Sequence, residues 1–203
     1  MDILKKLTEE FPSIREDRAQ NIINLIDEGN TIPFIARYRK EMTGSCDDQV
    51  LREFNDRLLY LRNLEKRKEE VEKSITDQGK MTDEIRLALD AATTLTEVED
   101  IYRPYKQKKK TRASIAIERG LQPLADFILA QDKNADVKSE AEKYIDEEKG
   151  VATVDEAIAG AKDIIAEIVS DDANVRKKLR NLFMKNGEIE TKLVNADKED
   201  AKV

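Results

Sequence analysis

Residues 103–112 read RPYKQKKKTR, six cations with no carboxylate among them. Lys106, Lys108, Lys109, Lys110 and Arg112 crowd too closely for neighbouring acids in sequence to neutralise them all. Such a run suits an anion: nucleic-acid phosphate, or an acidic protein surface. Tyr105, beside it, offers a ring on which a base could stack. A solvated loop is the competing reading. Arg37, Tyr38, Arg39 and Lys40 form a second cationic group. Its arginines either contact phosphate bidentately or pin acidic helices, such as the turn at 97–100.

The chain around these groups is acidic. Residues 1–102 hold 16 Lys/Arg against 23 Asp/Glu, residues 113–203 hold 14 against 20, and the whole carries −7. On that tally the positive excess gathers in 103–112, which points to a local docking site rather than a polyanion coat. There is no histidine, so Ser-His-Asp and Cys-His catalysis are unavailable within the chain. No P-loop, GxGxxG or CxxC occurs. The expectation is therefore no catalytic residue, no metal and no cofactor. Hydrolysis by a carboxylate cluster with a metal is the weakest of three readings. The single Cys46 excludes an internal disulfide and suits a reducing cytoplasm. MDILKKLTEEF lacks a signal-peptide core, and no run is long enough to span a membrane.

Composition sets the elements that must hold these residues. With 39% hydrophobic and 39% charged residues, seven Gly, four Pro and no Trp, the chain reads as all-α. Ser13-x-x-Glu16 is a capping box that opens a helix stopped at Gly29. Thr31-Ile32-Pro33 starts a short helix that Gly44 ends. Leu51, Phe54, Leu58, Leu61, Val71 and Ile75 mark a long helix over about 47–78. Its charged middle, 65–70, either protrudes or crosses between two packed regions. Shorter helices follow at about 82–92, 96–102, 121–131 and 137–146. Thr153-x-x-Glu156 caps a second long helix, about 154–184, with a break expected at Asp171, Asp172 and Asn174. Ile189 and Leu193 alternate with polar residues, which predicts a short strand-like tail near 188–194. The expected architecture is an orthogonal helical bundle. Its two long helices, within 1–80 and 151–187, pack together and frame an inserted helix-turn-helix-like unit at 81–150. Residues 188–203 begin a further, truncated element, so the chain is expected to be a fragment of a longer protein.

Two segments are more specific than amphipathicity demands: TIPFIARYRKEMTG (31–44) and EDIYRPYKQKKKTRASIAIERGLQPLADFIL (99–129). Together with NIINLIDEGN (21–30) and EKGVATVDEAIAGAKDIIAE (148–167), they closely resemble the N-terminal region of the Tex family of bacterial transcription accessory proteins. The likeness covers essentially all of 1–195. It implies a cytoplasmic multidomain protein that binds nucleic acid and influences transcription. It also implies a helical N-terminal region, with a helix-turn-helix-like part, ahead of an RNase-H-like domain, a helix-hairpin-helix module and an OB-fold barrel. In the family nucleic-acid affinity is attributed chiefly to that barrel, so this region is expected to bind nucleic acid only weakly. The expected contacts are Lys106, Lys108, Lys109, Lys110, Arg112, Arg37, Arg39, Lys40 and Tyr105. A module that docks on transcription or translation machinery through its acidic helices is the alternative from another class.

Overall fold

The apolar stripe that begins at Leu51 dictates the longest element. In the computed structural model, which describes residues 2–107 and 109–191, helix α5 runs Asp48–Asp77, about 45 Å at ~1.5 Å per residue. Leu51, Phe54, Leu58, Leu61, Leu64, Val71 and Ile75 are buried along one side. Asp47 caps it, its Oδ1 accepting from the Val50 amide at 2.8 Å. Around the first half pack α1 (Ile3–Glu10), α2 (Glu16–Asp27) and α3 (Ile32–Tyr38), with α4 (Lys40–Thr43) against α2 and α3. Their core joins Leu7, Ile14, Ala19, Ile22, Leu25 and Ile35 to Leu51–Leu61 of the stripe. Around the second half pack α6 (Asp83–Ala91) and α7 (Leu95–Tyr102).

The charged middle of α5 is thus a crossing between two packed regions, not a protrusion. Lys68 falls on the stripe itself and is buried, its Nζ donating to the Asp90 carbonyl at 3.1 Å and pairing with Glu65 at 3.1 Å. The ammonium is satisfied rather than stranded, as a buried charge must be.

Residues 103 onward form a second unit with its own core. A 3-10 turn (Arg103–Tyr105) leads through the basic run to α8 (Arg112–Glu118), α9 (Gln122–Leu129) and α10 (Val137–Ala141), the last continued by a 3-10 turn at Glu142–Tyr144. Then come α11 (Val154–Asp171) and α12 (Ala173–Asn186). Small residues dominate where α8 meets α11: Ala113 and Ala116 are buried in one cluster with Ala157 and Ala161. A Cβ on Gly160 would come within 2.4 Å of Leu121 Cδ1 and 3.3 Å of Ala116 Cβ, so its lack of a side chain sets that approach.

The contacts divide the chain once, between Tyr102 and Arg103. On this grouping α6 and α7 join α5, and 103–150 joins α11; a frame with an insertion at 81–150 draws the lines elsewhere. The regular structure is all-α, and among the described residues an isolated antiparallel bridge, Asp146 with Val151, stands in for any sheet. Three local expectations need correction. Ser13 does not cap α2, which begins at Glu16 behind Arg15 with no side-chain cap; Pro12 and Ser13 make a turn instead. The helix expected over 137–146 is α for only its first five residues. No strand forms at 188–191, and 192–194 lie outside the described residues. Among the described residues no helix is long and apolar enough to cross a membrane.

Candidate functional site

The basic run is anchored at both ends. At its end Thr111 and Ser114 cap each other: the Ser114 amide donates to Thr111 Oγ1 at 3.0 Å and the Thr111 amide to Ser114 Oγ at 2.8 Å. At its start Arg103 Nε donates to Asp171 Oδ1 at 3.0 Å, and that carboxylate is only 8% exposed. Asp171 belongs to a row. Asp163, Glu167 and Asp171 recur every four residues on α11, so they share one face. All three line a cleft of about 510 Å³ with Arg103, Lys106 and Arg112. Arg112 reaches Asp163 at 3.7 Å while its side chain stays 87% exposed.

The tertiary structure therefore supplies carboxylates that the neighbouring sequence lacks. Arg103, Lys106 and Arg112 face an acidic row, which makes the cleft mixed in charge rather than an open anion hole. Lys109 and Lys110 are exposed. Lys110 meets Glu118 at 3.3 Å, but both side chains are largely in solvent, where such a pair contributes little. Tyr105 is half-buried. Lys108 lies outside the described residues.

The second group has the opposite character. Arg37, Tyr38 and Lys40 are exposed and Arg39 is half-buried, at the end of α3 and the start of α4. Arg37 and Lys40 make no ion pair with any described residue. The Arg39 guanidinium sits 5.3 Å from the Phe34 ring centre, and the Phe34 and Tyr38 rings are 5.2 Å apart. The idea that these arginines pin acidic helices is overturned. Other arginines, none of them singled out by the sequence, do that work. Arg57 Nη2 donates to Glu10 at 2.7 Å, Arg62 holds Asp27 by two bonds of 2.6 and 2.8 Å, and Arg67 Nε donates to Glu99 at 2.7 Å. Hydrogen bonding to Arg57 holds the Glu10 carboxyl below its ordinary value, and Arg62 does the same for Asp27, burial opposing both. The Arg67 guanidinium also covers Tyr102, whose hydroxyl bonds Ser74 at 3.0 Å, so Tyr102 is structural. Glu97 is taken by the amide and hydroxyl of Thr93.

A third cationic element escaped the sequence reading. Helix α12 carries Arg176, Lys177, Lys178, Arg180 and Lys185, and residues 173–186 contain no carboxylate. The signal is plain in VRKKLRNLFMK but disappears when charge is tallied over 113–203. Leu179, Leu182, Phe183 and Met184 are exposed on the same helix.

Helices α8 and α9, joined by Arg119-Gly120-Leu121, have the connectivity of a helix-turn-helix. Yet α9 contains no cation, and its exposed residues include Pro123, Asp126 and Leu129, poor chemistry for a helix entering a major groove. Cys46 is half-buried, donates to the Thr43 carbonyl at 3.0 Å and has its thiol pushed up chiefly by burial, the opposite of an activated nucleophile. Among the described residues no cluster of three His, Cys, Asp or Glu side chains could hold a metal ion.

Comparison with known proteins fits this layout. Residues 1–76 match the family described as Tex-like protein N-terminal domain, and residues 132–203 match Tex central region-like. The chain is 44% identical over 194 residues to the transcriptional accessory protein Tex of Neisseria gonorrhoeae, covering 96% of this chain and 25% of that protein. To the protein tex of Bordetella pertussis it is 41% identical over 186 residues, covering 92% and 23%. To the human S1 RNA-binding domain-containing protein 1 it is 34% identical over 166 residues, covering 81% and 16%. The chain thus spans about a quarter of the length of the bacterial relatives it matches.

Proposed function

This chain belongs to the Tex family, and from that premise we propose that it is the helical N-terminal scaffold of a cytoplasmic, nucleic-acid-binding transcription accessory protein. Its role is to position and bind rather than to catalyse, with a modest nucleic-acid contact of its own. The main support is the placement of cations. In a chain of net charge −7, Arg37, Lys40 and Lys109 remain outside any ion pair with the described residues and lie on exposed surface. The names of the relatives point the same way: one is called a transcriptional accessory protein and another is named for an S1 RNA-binding domain.

The contact should be weak, because the uncommitted cations are scattered over a chain of net charge −7. Non-specific electrostatic binding sits at about 10⁻⁴–10⁻⁶ M at physiological salt. Fluorescence anisotropy with labelled single- and double-stranded DNA and RNA, at low and moderate KCl, tests this. Micromolar or poorer affinity that falls as salt rises is expected. Nanomolar sequence-specific binding, or no binding even at low salt, would overturn it.

Docking of a protein partner is the second reading. What favours it is Leu179, Leu182, Phe183 and Met184, exposed along α12. The surface concerned is cationic, not the acidic helices that composition suggests. Binding to transcription machinery that persists at high salt would support it.

A further inference from the structure

In residues 1–102, carboxylates outnumber cations 23 to 16, so an arginine without one needs a reason. Arg15, Arg52, Arg57, Arg62, Arg67 and Arg86 each hold an Asp or Glu. Arg18, Arg37 and Arg39 hold none among the described residues, and Arg18 lies against Gly44. Arg39 instead turns its guanidinium onto Phe34, and Phe34 and Tyr38, one helical turn apart, are 37% and 58% exposed. Their rings stand 5.2 Å apart at 46°, which fixes both faces relative to one another. Arg37 and Lys40 flank them in the open. Two exposed rings braced by a guanidinium, with unpaired cations alongside, combine the two things a single strand requires. Bases need flat apolar faces and phosphates need positive charge; a duplex hides its base faces and can use only the charge.

We propose that Phe34, Tyr38 and Arg39 form a stacking platform for unpaired bases of a single-stranded nucleic acid, with Arg37 and Lys40 meeting its phosphates. This rests on the nucleic-acid reading above and assigns it a place and a strand preference. Arg39 acts on the strand through Phe34, holding the ring while offering its own plane to a neighbouring base. Gly44 ends α4 with φ +74°, and a Cβ there would lie 1.8 Å from Arg18 Nη1, so the backbone passes directly under that guanidinium.

The chain contains no tryptophan, so Tyr38→Trp places a single indole on the platform. The 203-residue chain carrying Y38W is titrated with a 12-nucleotide oligo(U), an oligo(dT) and a 12-base-pair duplex. Labelled oligonucleotide anisotropy and indole emission are read together. Expected is quenching that tracks anisotropy with the single strands and is weaker with the duplex. Y38A should weaken oligo(U) binding about tenfold, the loss of one stacked base, while duplex binding changes less than twofold. Y38F should retain most of the affinity, because the face and not the hydroxyl does the stacking. Oligo(U) binding with unchanged indole emission would refute the platform and leave the broader nucleic-acid reading intact. Equal losses on single strand and duplex in Y38A would also refute it. Absence of binding by every oligonucleotide at low salt would sink both.

Discussion

Glu10 and Asp27 each tie a short helix to α5, through Arg57 and Arg62, and both carboxyls titrate below their ordinary values because of those hydrogen bonds. A carboxyl lowered by folding adds stability that is present above its unfolded value, near 4.3 for Glu and 3.9 for Asp. That stability is lost as pH falls through the lowered folded value. Thermal midpoints measured from pH 7 to pH 3 should therefore drop on the acid side, and Glu10→Gln should remove part of the drop. At pH 7 the same change should cost about 1 kcal/mol or less, since both side chains keep some solvent. Parallel curves for the two proteins would contradict the assignment. In the second unit the contrast lies within the basic run. Arg103→Ala strips a cation from the buried Asp171 and should cost about 1–3 kcal/mol. Lys109→Ala with Lys110→Ala touches only solvated side chains, and its unfolding free energy should stay within about 0.5 kcal/mol of the parent. If Lys109 and Lys110 contact phosphate, that double change should instead flatten the salt dependence of binding.

Elements in this protein begin and end for local reasons, and the ends are where they are vulnerable. Helix α11 stops at Asp171, and Asp172 restarts the chain as the N-cap of α12, its Oδ1 accepting from the Val175 amide at 2.7 Å. With no buried residue of its own, α12 depends on that cap more than a packed helix would. Asp172→Ala should cost about 1 kcal/mol locally. Amide hydrogen exchange in 175–186 should speed up several-fold while α11 is unaffected; uniform change across the unit would argue against an independent cap. Gly160 makes the opposite case. Alanine would gain about 1 kcal/mol of helix propensity, but its Cβ must displace the buried Leu121. Valine removes that advantage and enlarges the clash. Gly160→Val should lower stability by about 1–3 kcal/mol, read as a fall of several degrees in the melting midpoint.

At the scale of the whole molecule, two cores divide the stabilising burial. One is built from α1–α5 around Leu7, Phe54 and Leu58, the other from α8–α11 around Ala113, Leu124 and Ile164. Because each unit keeps its main packing partners to itself, residues 1–102 and residues 103–191 expressed separately should each show helical circular dichroism and a cooperative melt. A 1–102 fragment that melts without cooperativity would show that this core is insufficient alone. The charge follows a similar partition. Neither unit is a cationic body: residues 1–102 carry 16 Lys/Arg against 23 Asp/Glu, and residues 103–203 balance 20 against 20, with cations gathered on short stretches, which is why weak, local contacts are expected.

The amino-acid order alone decided what depends on neighbours a few residues apart. The apolar period of α5, the left-handed glycines at 29, 44 and 79, the Thr153 cap and the break at Asp172 all act between residues within a turn or two. They were legible because helix formation, capping and stop signals are i to i+4 events. The Tex likeness was legible for a related reason, being carried by long ordered segments. What each cation does was not legible. Arg103 meets Asp171 across 68 positions, and Arg57 meets Glu10 across 47. Nothing in RPYKQKKKTR announces that three carboxylates of α11 will face it, or that Arg37 and Arg39 will be left without one. Pairing of charges is decided by which helix faces the core brings together, and only the tertiary structure fixes those faces.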